Sequence, residues 1–168
     1  MRVWLSVDME GISGLVRWAD VITSGMDFQR NRRFMTGDAN AAIAGAFDGG
    51  ATEVVVEESH GVEELCDLVL DEIDPRCRVV RGAGRPAAST MAGLDATIGV
   101  VLFVGHHARA GSFPGIMAHT VSYERFKSVR IAGAPVGLVT GDQVLIAELG
   151  KRALSKVAGD LIPPARAA

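Results

Sequence analysis

The chain has little of what would tie it to an oxidising compartment, a membrane or a nucleic acid. Its two cysteines, Cys66 and Cys77, form no CxxC pair and no dense framework. No disulfide scaffold is therefore expected, and both thiols read as packing residues. No run of lysine or arginine is long enough to track a phosphate backbone, and 17 basic residues stand against 20 acidic ones for a net charge of -3. Nucleic acid is not an expected partner. No stretch approaches the roughly 18 continuous apolar residues of a membrane span. In the opening MRVWLSVDMEG, Asp8 and Glu10 interrupt the apolar run before a signal-peptide core is complete, so a cytoplasmic location is expected. Neither a P-loop lysine motif nor GxGxxG occurs, and the glycine-rich RGAGRP at 81–86 does not by itself make a phosphate site.

What is present suits a single domain over residues 1–168: 48% apolar and 22% charged residues can build a core, and no repeat or Ser/Gly/Pro-rich linker divides the chain. Five short β-branched or apolar runs alternate with segments of helical spacing, which predicts an α/β fold with a mainly parallel sheet flanked by helices. Strands are expected at Arg2–Val7, Glu53–Val56, Arg78–Val80, Ala96–Val104 and Val136–Thr140. Helices are expected at Thr36–Phe47, stopped by Gly49-Gly50, at Val62–Ile73 and at Asp142–Ser155. The run ATIGVVLFV has the unbroken apolar character of a central strand buried on both faces.

The residues able to do chemistry fall at the same end of these strands. Asp8 and Glu10 follow the first, His60 the second, and His106 and His107 the buried one; His119 closes the loop beyond it. In a parallel sheet these C-terminal ends share one edge, where a ligand crevice forms. Two carboxylates and several imidazoles brought together suit zinc. Residues 8 and 10 face one side if strand alternation continues through Met9, whereas the adjacent His106 and His107 should diverge, with at most one facing the site. Taken singly, each residue also has an ordinary reading: Asp8 and Glu10 in a solvated turn before Gly11, His60 at the start of a helix, His119 as a polar loop residue.

Four segments, SVDMEGISG at 6–14, ESHG at 58–61, GHHARAG at 105–111 and PGIMAHT at 114–120, resemble the D-aminopeptidase family of zinc peptidases in order and approximate spacing. The resemblance extends to about Gly137. It implies an aminopeptidase acting on small peptides with N-terminal D-residues, and a metal site of Asp8, Glu10, His60 and His107 holding two zinc ions per chain. Asp8 would bridge the ions, His119 would be the catalytic histidine, and Arg109 would orient substrate. The rings formed by the family imply a homo-oligomer. Where the family carries a further glutamate ligand after Pro-Val-Gly, Pro135-Val136-Gly137 runs here into Leu138, and the sequence beyond resembles a later part of the family, as if a stretch were deleted and the chain shortened. Asp142 and Glu148 are the nearest carboxylates that would replace it. The alternative expectation is a degenerate member that binds metal or assembles without catalysis.

Overall fold

The computed structural model describes residues 1–61, 64–82, 84–85, 91–110 and 112–120, together with the backbone of 129–131 and 134–136. The β-branched runs pair as the sequence predicts. Strands β1 (Arg2–Val7), β2 (Glu53–Glu58), β3 (Arg78–Val80) and β4 (Ile98–Val104) form a parallel sheet of order β3-β2-β1-β4. Strand β1 therefore lies between β2 and β4, with Val7 level with Glu58 on one side and Val104 on the other. Among the described residues, a single-turn helix α1 (Trp18–Val21) and the long helix α2 (Phe28–Asp48) accompany the sheet, and β5 (Val129–Ile131) pairs antiparallel with β6 (Ala134–Val136).

Alternation along β1 sorts the core into two faces. Val3, Leu5 and Val7 join Val54, Val56 and the α2 residues Met35, Ala39 and Ile43 in the main cluster. Burying side chains of this size stabilises the fold by roughly 1.5–3 kcal/mol each. On the other face Trp4 packs edge-on against Phe103 and its indole N–H donates to the Ala92 carbonyl, while Ser6 meets Glu57. Helix α2 stops at Gly49, with Gly50 in the left-handed region at φ 89°, as the glycine pair predicts.

Three expectations change. Helix α2 begins at Phe28 rather than Thr36, because Phe28, Asn31 and Met35 extend its buried face by two turns. Residues 64–73 are irregular, not part of a helix. There the Arg32 guanidinium takes the carbonyls of Cys66, Asp67 and Leu68, the Thr36 hydroxyl accepts from the Val69 N–H, and Leu65 sits at φ 50°. Backbone groups bonded to another element cannot close helical turns. Strand β2 continues to Glu58 and β4 begins at Ile98. Both cysteines are free and half-buried, and Cys77 packs against the core. Val136 ends β6, while Leu138, Asp142, Glu148 and the rest of the expected final strand and helix lie outside the described residues.

Candidate metal centre

The strand order fixes where the site forms. As β1 ends, the Asp8 N–H donates to the Val104 carbonyl at 2.9 Å and the Gly11 N–H to the Gly105 carbonyl at 2.6 Å, so the chain after β1 is stitched to the chain after β4. On the other side the Ser59 N–H donates to the Val7 carbonyl. Two glycines permit this approach. A Cβ on Gly105, whose φ is 69°, would overlap the Asp8 carbonyl, and one on Gly11 would overlap the His106 carbonyl. Alternation does persist past β1: Met9 is buried in the core, while Asp8 and Glu10 turn together to the strand ends.

Asp8, Glu10 and His107, all buried, each bring one ligand atom within 4.8 Å of the others. His60 adjoins them through Glu10, its Nε2 3.6 Å from Glu10 Oε1, and His119 presents Nε2 3.7 Å from the same oxygen. His107 Nε2 lies 3.5 Å from Asp8 Oδ2. These separations are longer than hydrogen bonds and leave the nitrogens and oxygens facing a common space. The opposite nitrogens are engaged. His60 Nδ1 is 2.7 Å from Asp67 Oδ2, His107 Nδ1 is 2.9 Å from the Ala108 carbonyl, and His119 Nδ1 is 2.8 Å from the Met117 carbonyl. A carbonyl or carboxylate only accepts, so each Nδ1 carries a proton, and Nε2 is the nitrogen left to turn a lone pair toward the carboxylates when the ring is neutral. The rings of His107 and His119 stack with centroids 3.5 Å apart.

The electrostatics favour a cation. Burial pushes the Asp8 carboxyl well above the usual carboxylate range, the Glu10 charge adds to this, and His107 and His60 only partly oppose it. Burial works to lower the His60 pKa, but the Asp67 hydrogen bond and the charges of Glu10 and Asp8 outweigh it and raise the pKa. Glu10 Oε2 is buried with no hydrogen-bond partner. Buried carboxylate oxygens facing imidazole lone pairs lack positive charge, and a divalent ion with oxygen and nitrogen ligands supplies it.

His106 departs from expectation. Its Nδ1 lies 3.7 Å from Asp8 Oδ2 and its Nε2 3.1 Å from Ser6 Oγ, so both histidines of the pair approach Asp8. The turn at Gly105 ends the strand alternation that would have separated them. The Arg109 carbonyl accepts from the Ser112 N–H in the loop beyond β4. Several members of the site carry no signal in the sequence. Asp67, which orients His60, lies within the segment Val62–Ile73 whose spacing predicts a helix. Arg85 and Arg81, from the glycine-rich stretch, turn to Glu57 at 2.8 Å and to Glu58 at 3.3 Å rather than to a phosphate site. Burial raises Glu57 to about 8 and Glu58 to about 7 despite these arginines. Met117, at φ 45°, turns the chain so that its carbonyl meets the His119 ring, a backbone conformation that a β-carbon disfavours and that occurs preferentially at functional sites.

Residues 1–137 match the D-aminopeptidase family model, Peptidase_M55, and the match ends at the residue before Leu138. The D-aminopeptidase of Bacillus subtilis (strain 168) is 37% identical over 171 residues, covering 97% of this chain and 61% of that protein. Among solved structures, the Zn-dependent D-aminopeptidase DppA from Bacillus subtilis, a self-compartmentalizing protease, superposes with a TM-score of 0.77 at 36% identity, over 90% of this chain and 52% of that one. The chain thus spans less than two thirds of the length of the relatives it matches, and its parallel sheet shares their fold. With most of its length inside the family model and its carboxylates and imidazoles gathered at one sheet edge, the chain belongs to the D-aminopeptidase family.

Proposed function

We propose that the chain is a zinc-dependent aminopeptidase that hydrolyses small peptides with N-terminal D-residues, with Asp8, Glu10, His60 and His107 as metal ligands and His119 as the catalytic residue. The observation that carries this reading is the common orientation of three imidazoles, each held at Nδ1 by an acceptor and turning Nε2 toward Asp8 or Glu10. Metal-ligating histidines are fixed in this way by their outer partners. When bound, zinc supplies Lewis acidity, which polarises a carbonyl and makes water a better nucleophile at neutral pH. His119 takes a different part. Its Nε2 holds a lone pair beside Glu10 and can accept a proton and return it to the leaving amine, while the Met117 carbonyl keeps the ring in the required tautomer. Asp67 acts through His60, holding its ring in place. The preference for D-residues, a homo-oligomeric assembly and Arg109 as a substrate-orienting group are extended to this chain from its relatives, and a cytoplasmic location from its sequence.

The test is zinc content by elemental analysis together with hydrolysis of D-aminoacyl peptides as zinc is titrated in. Two ions per chain and a rate that follows zinc are expected. His119→Ala should lower turnover by about 10²–10⁴-fold with zinc retained. Unchanged turnover in that variant sinks the role given to His119. Leu138, standing where the resemblance places a glutamate ligand, favours the second reading. One ion or none, with no hydrolysis of any peptide in the panel, would establish a non-catalytic metal-binding or assembly subunit instead.

A further inference from the structure

Two clefts adjoin the Asp8–Glu10–His107 cluster, and both have aliphatic walls that the metal chemistry does not use. One, of about 310 Å³, opens beside His60 against Val21, Ile22 and Leu65, with Glu64 and Asp67 among its polar members. The other, of about 340 Å³, opens beside Glu10 and His107 against Leu15, Val16 and Ile116. Glu10 links them, since it lines the second and its Oε1 faces His60 of the first. Ile22, Val16 and Ile116 are 46%, 56% and 52% exposed, an unusual concentration of bare aliphatic surface around one polar cluster. Trp18, itself 48% exposed, stands edge-on to the His119 ring with centroids 5.1 Å apart. Its position is held from below by Asp20, whose carboxylate accepts from the N–H groups of Val16 and Arg17 and from the Arg17 guanidinium.

Apolar walls that meet at convergent polar groups are the usual make-up of a small-molecule site, in which the polar groups fix orientation and the walls favour apolar side chains of matching size. A peptide whose scissile carbonyl lies at the cluster sends its two flanking side chains to opposite sides of the bond, where the two clefts open. We propose that the substrate is a short peptide with bulky apolar residues on both sides of the scissile bond. The side chain of its N-terminal residue lies against Ile22 and Leu65, and that of the leaving residue against Val16 and Ile116. Trp18 covers His119 between them. The amino end belongs in the His60 cleft because Glu64 and Asp67 give it negative charge for an α-ammonium, whereas among the described residues Glu10 is the one acidic residue lining the other. Both clefts have room for a side chain larger than a methyl group, and a larger apolar side chain covers more of their aliphatic walls than alanine does. The proposal rests on the peptidase reading above.

The experiment compares kcat/KM for D-Leu-D-Ala, D-Ala-D-Leu and D-Ala-D-Ala in the zinc-loaded protein, in Ile22→Asp and in Val16→Asp, with zinc content measured in each. The milder Ile22→Ser and Val16→Ser stand in for any variant that fails to fold. Replacing Ile22 should lower the D-Leu-D-Ala to D-Ala-D-Ala ratio by about tenfold and leave the D-Ala-D-Leu ratio unmoved; replacing Val16 should do the reverse. Ratios that stay fixed in both variants while cleavage continues would overturn the clefts and leave the peptidase reading standing. If the protein cleaves none of the three, binding calorimetry with the same peptides reads the same ratios. A leucine preference abolished by the variants then upholds the clefts and sinks the peptidase reading alone, and no binding of any peptide overturns both.

Discussion

At the N-terminal edge of the sheet, Arg2 of β1 reaches Glu53 of β2 at 2.7 Å and also contacts Asp95 and Thr97 ahead of β4, while Arg78 of β3 reaches Glu53 at 3.0 Å. At the C-terminal edge of the same strands stand Asp8, Glu10, His60, His106 and His107. The first edge pairs opposite charges in solvent, and the Arg2 hydrogen bond followed by that of Arg78 holds Glu53 below the usual carboxylate range. The second buries carboxylates beside one another and beside neutral imidazoles, and Asp8 is pushed the opposite way. One set of strands thus begins in a self-compensated cluster and ends in one that lacks positive charge. The contrast separates charge that decorates a fold from charge gathered for a ligand, since exposed pairs contribute little and buried like charges are costly unless something binds.

The sharpest way to break the contrast is to remove one ligand from the buried edge. His107→Ala should weaken zinc binding by more than the ~100-fold that loss of an outer partner causes, read by competition with a chromophoric chelator. Retained affinity would place the ion elsewhere. Next in size is Asp67→Asn, which keeps the shape of the residue but loses the charge behind His60; about 10–100-fold weaker zinc binding is expected in the same assay. A smaller effect concerns pH. Glu57 and Glu58 keep their protons in the fold up to about 8 and about 7, whereas an unfolded glutamate releases its own near 4.5. Between those values the unfolded chain binds fewer protons, so stability is greatest below pH 4.5 on this account and declines as pH rises toward 8. Thermal melts from pH 5 to 8 in chelator should show that decline, with a shallower slope in Glu57→Gln; equal slopes would remove Glu57 as its source. The smallest effect is expected at the other edge. Glu53→Gln should barely move the melting temperature and leave zinc affinity as it was, because its partners are solvated.

Much of this was legible before any coordinates, and the limits are instructive. The strands announced themselves because β1, β2 and β4 each carry an uninterrupted β-branched or apolar run, and a parallel sheet then brings Asp8, His60 and His107 to one edge without knowledge of any side chain. Glu10 followed from alternation through Met9. The start of α2 was hidden because Gln29-Arg30 and Arg32-Arg33 mask the buried spacing of Phe28, Asn31 and Met35. The helix expected after His60 failed for a related reason: VEELCDLVLDEI has helical spacing, but Arg32 and Thr36, far away in sequence, claim its backbone groups. Local periodicity cannot report a partner contributed by another element. The same holds for Asp67 behind His60 and for Arg85 behind Glu57, whose roles exist only once β2, β3 and α2 are assembled.

The close passage of main chain at Gly11 and Gly105 has a further consequence. Because the Asp8 and Gly11 N–H groups bond directly to the carbonyls of Val104 and Gly105, the separation between the residues after β1 and those after β4 is set by peptide geometry and not by the identity of the side chains they carry. The frame on which Asp8, Glu10 and His107 stand is thus fixed by the main chain, and what the side chains at these positions add is only their own reach and ligand chemistry.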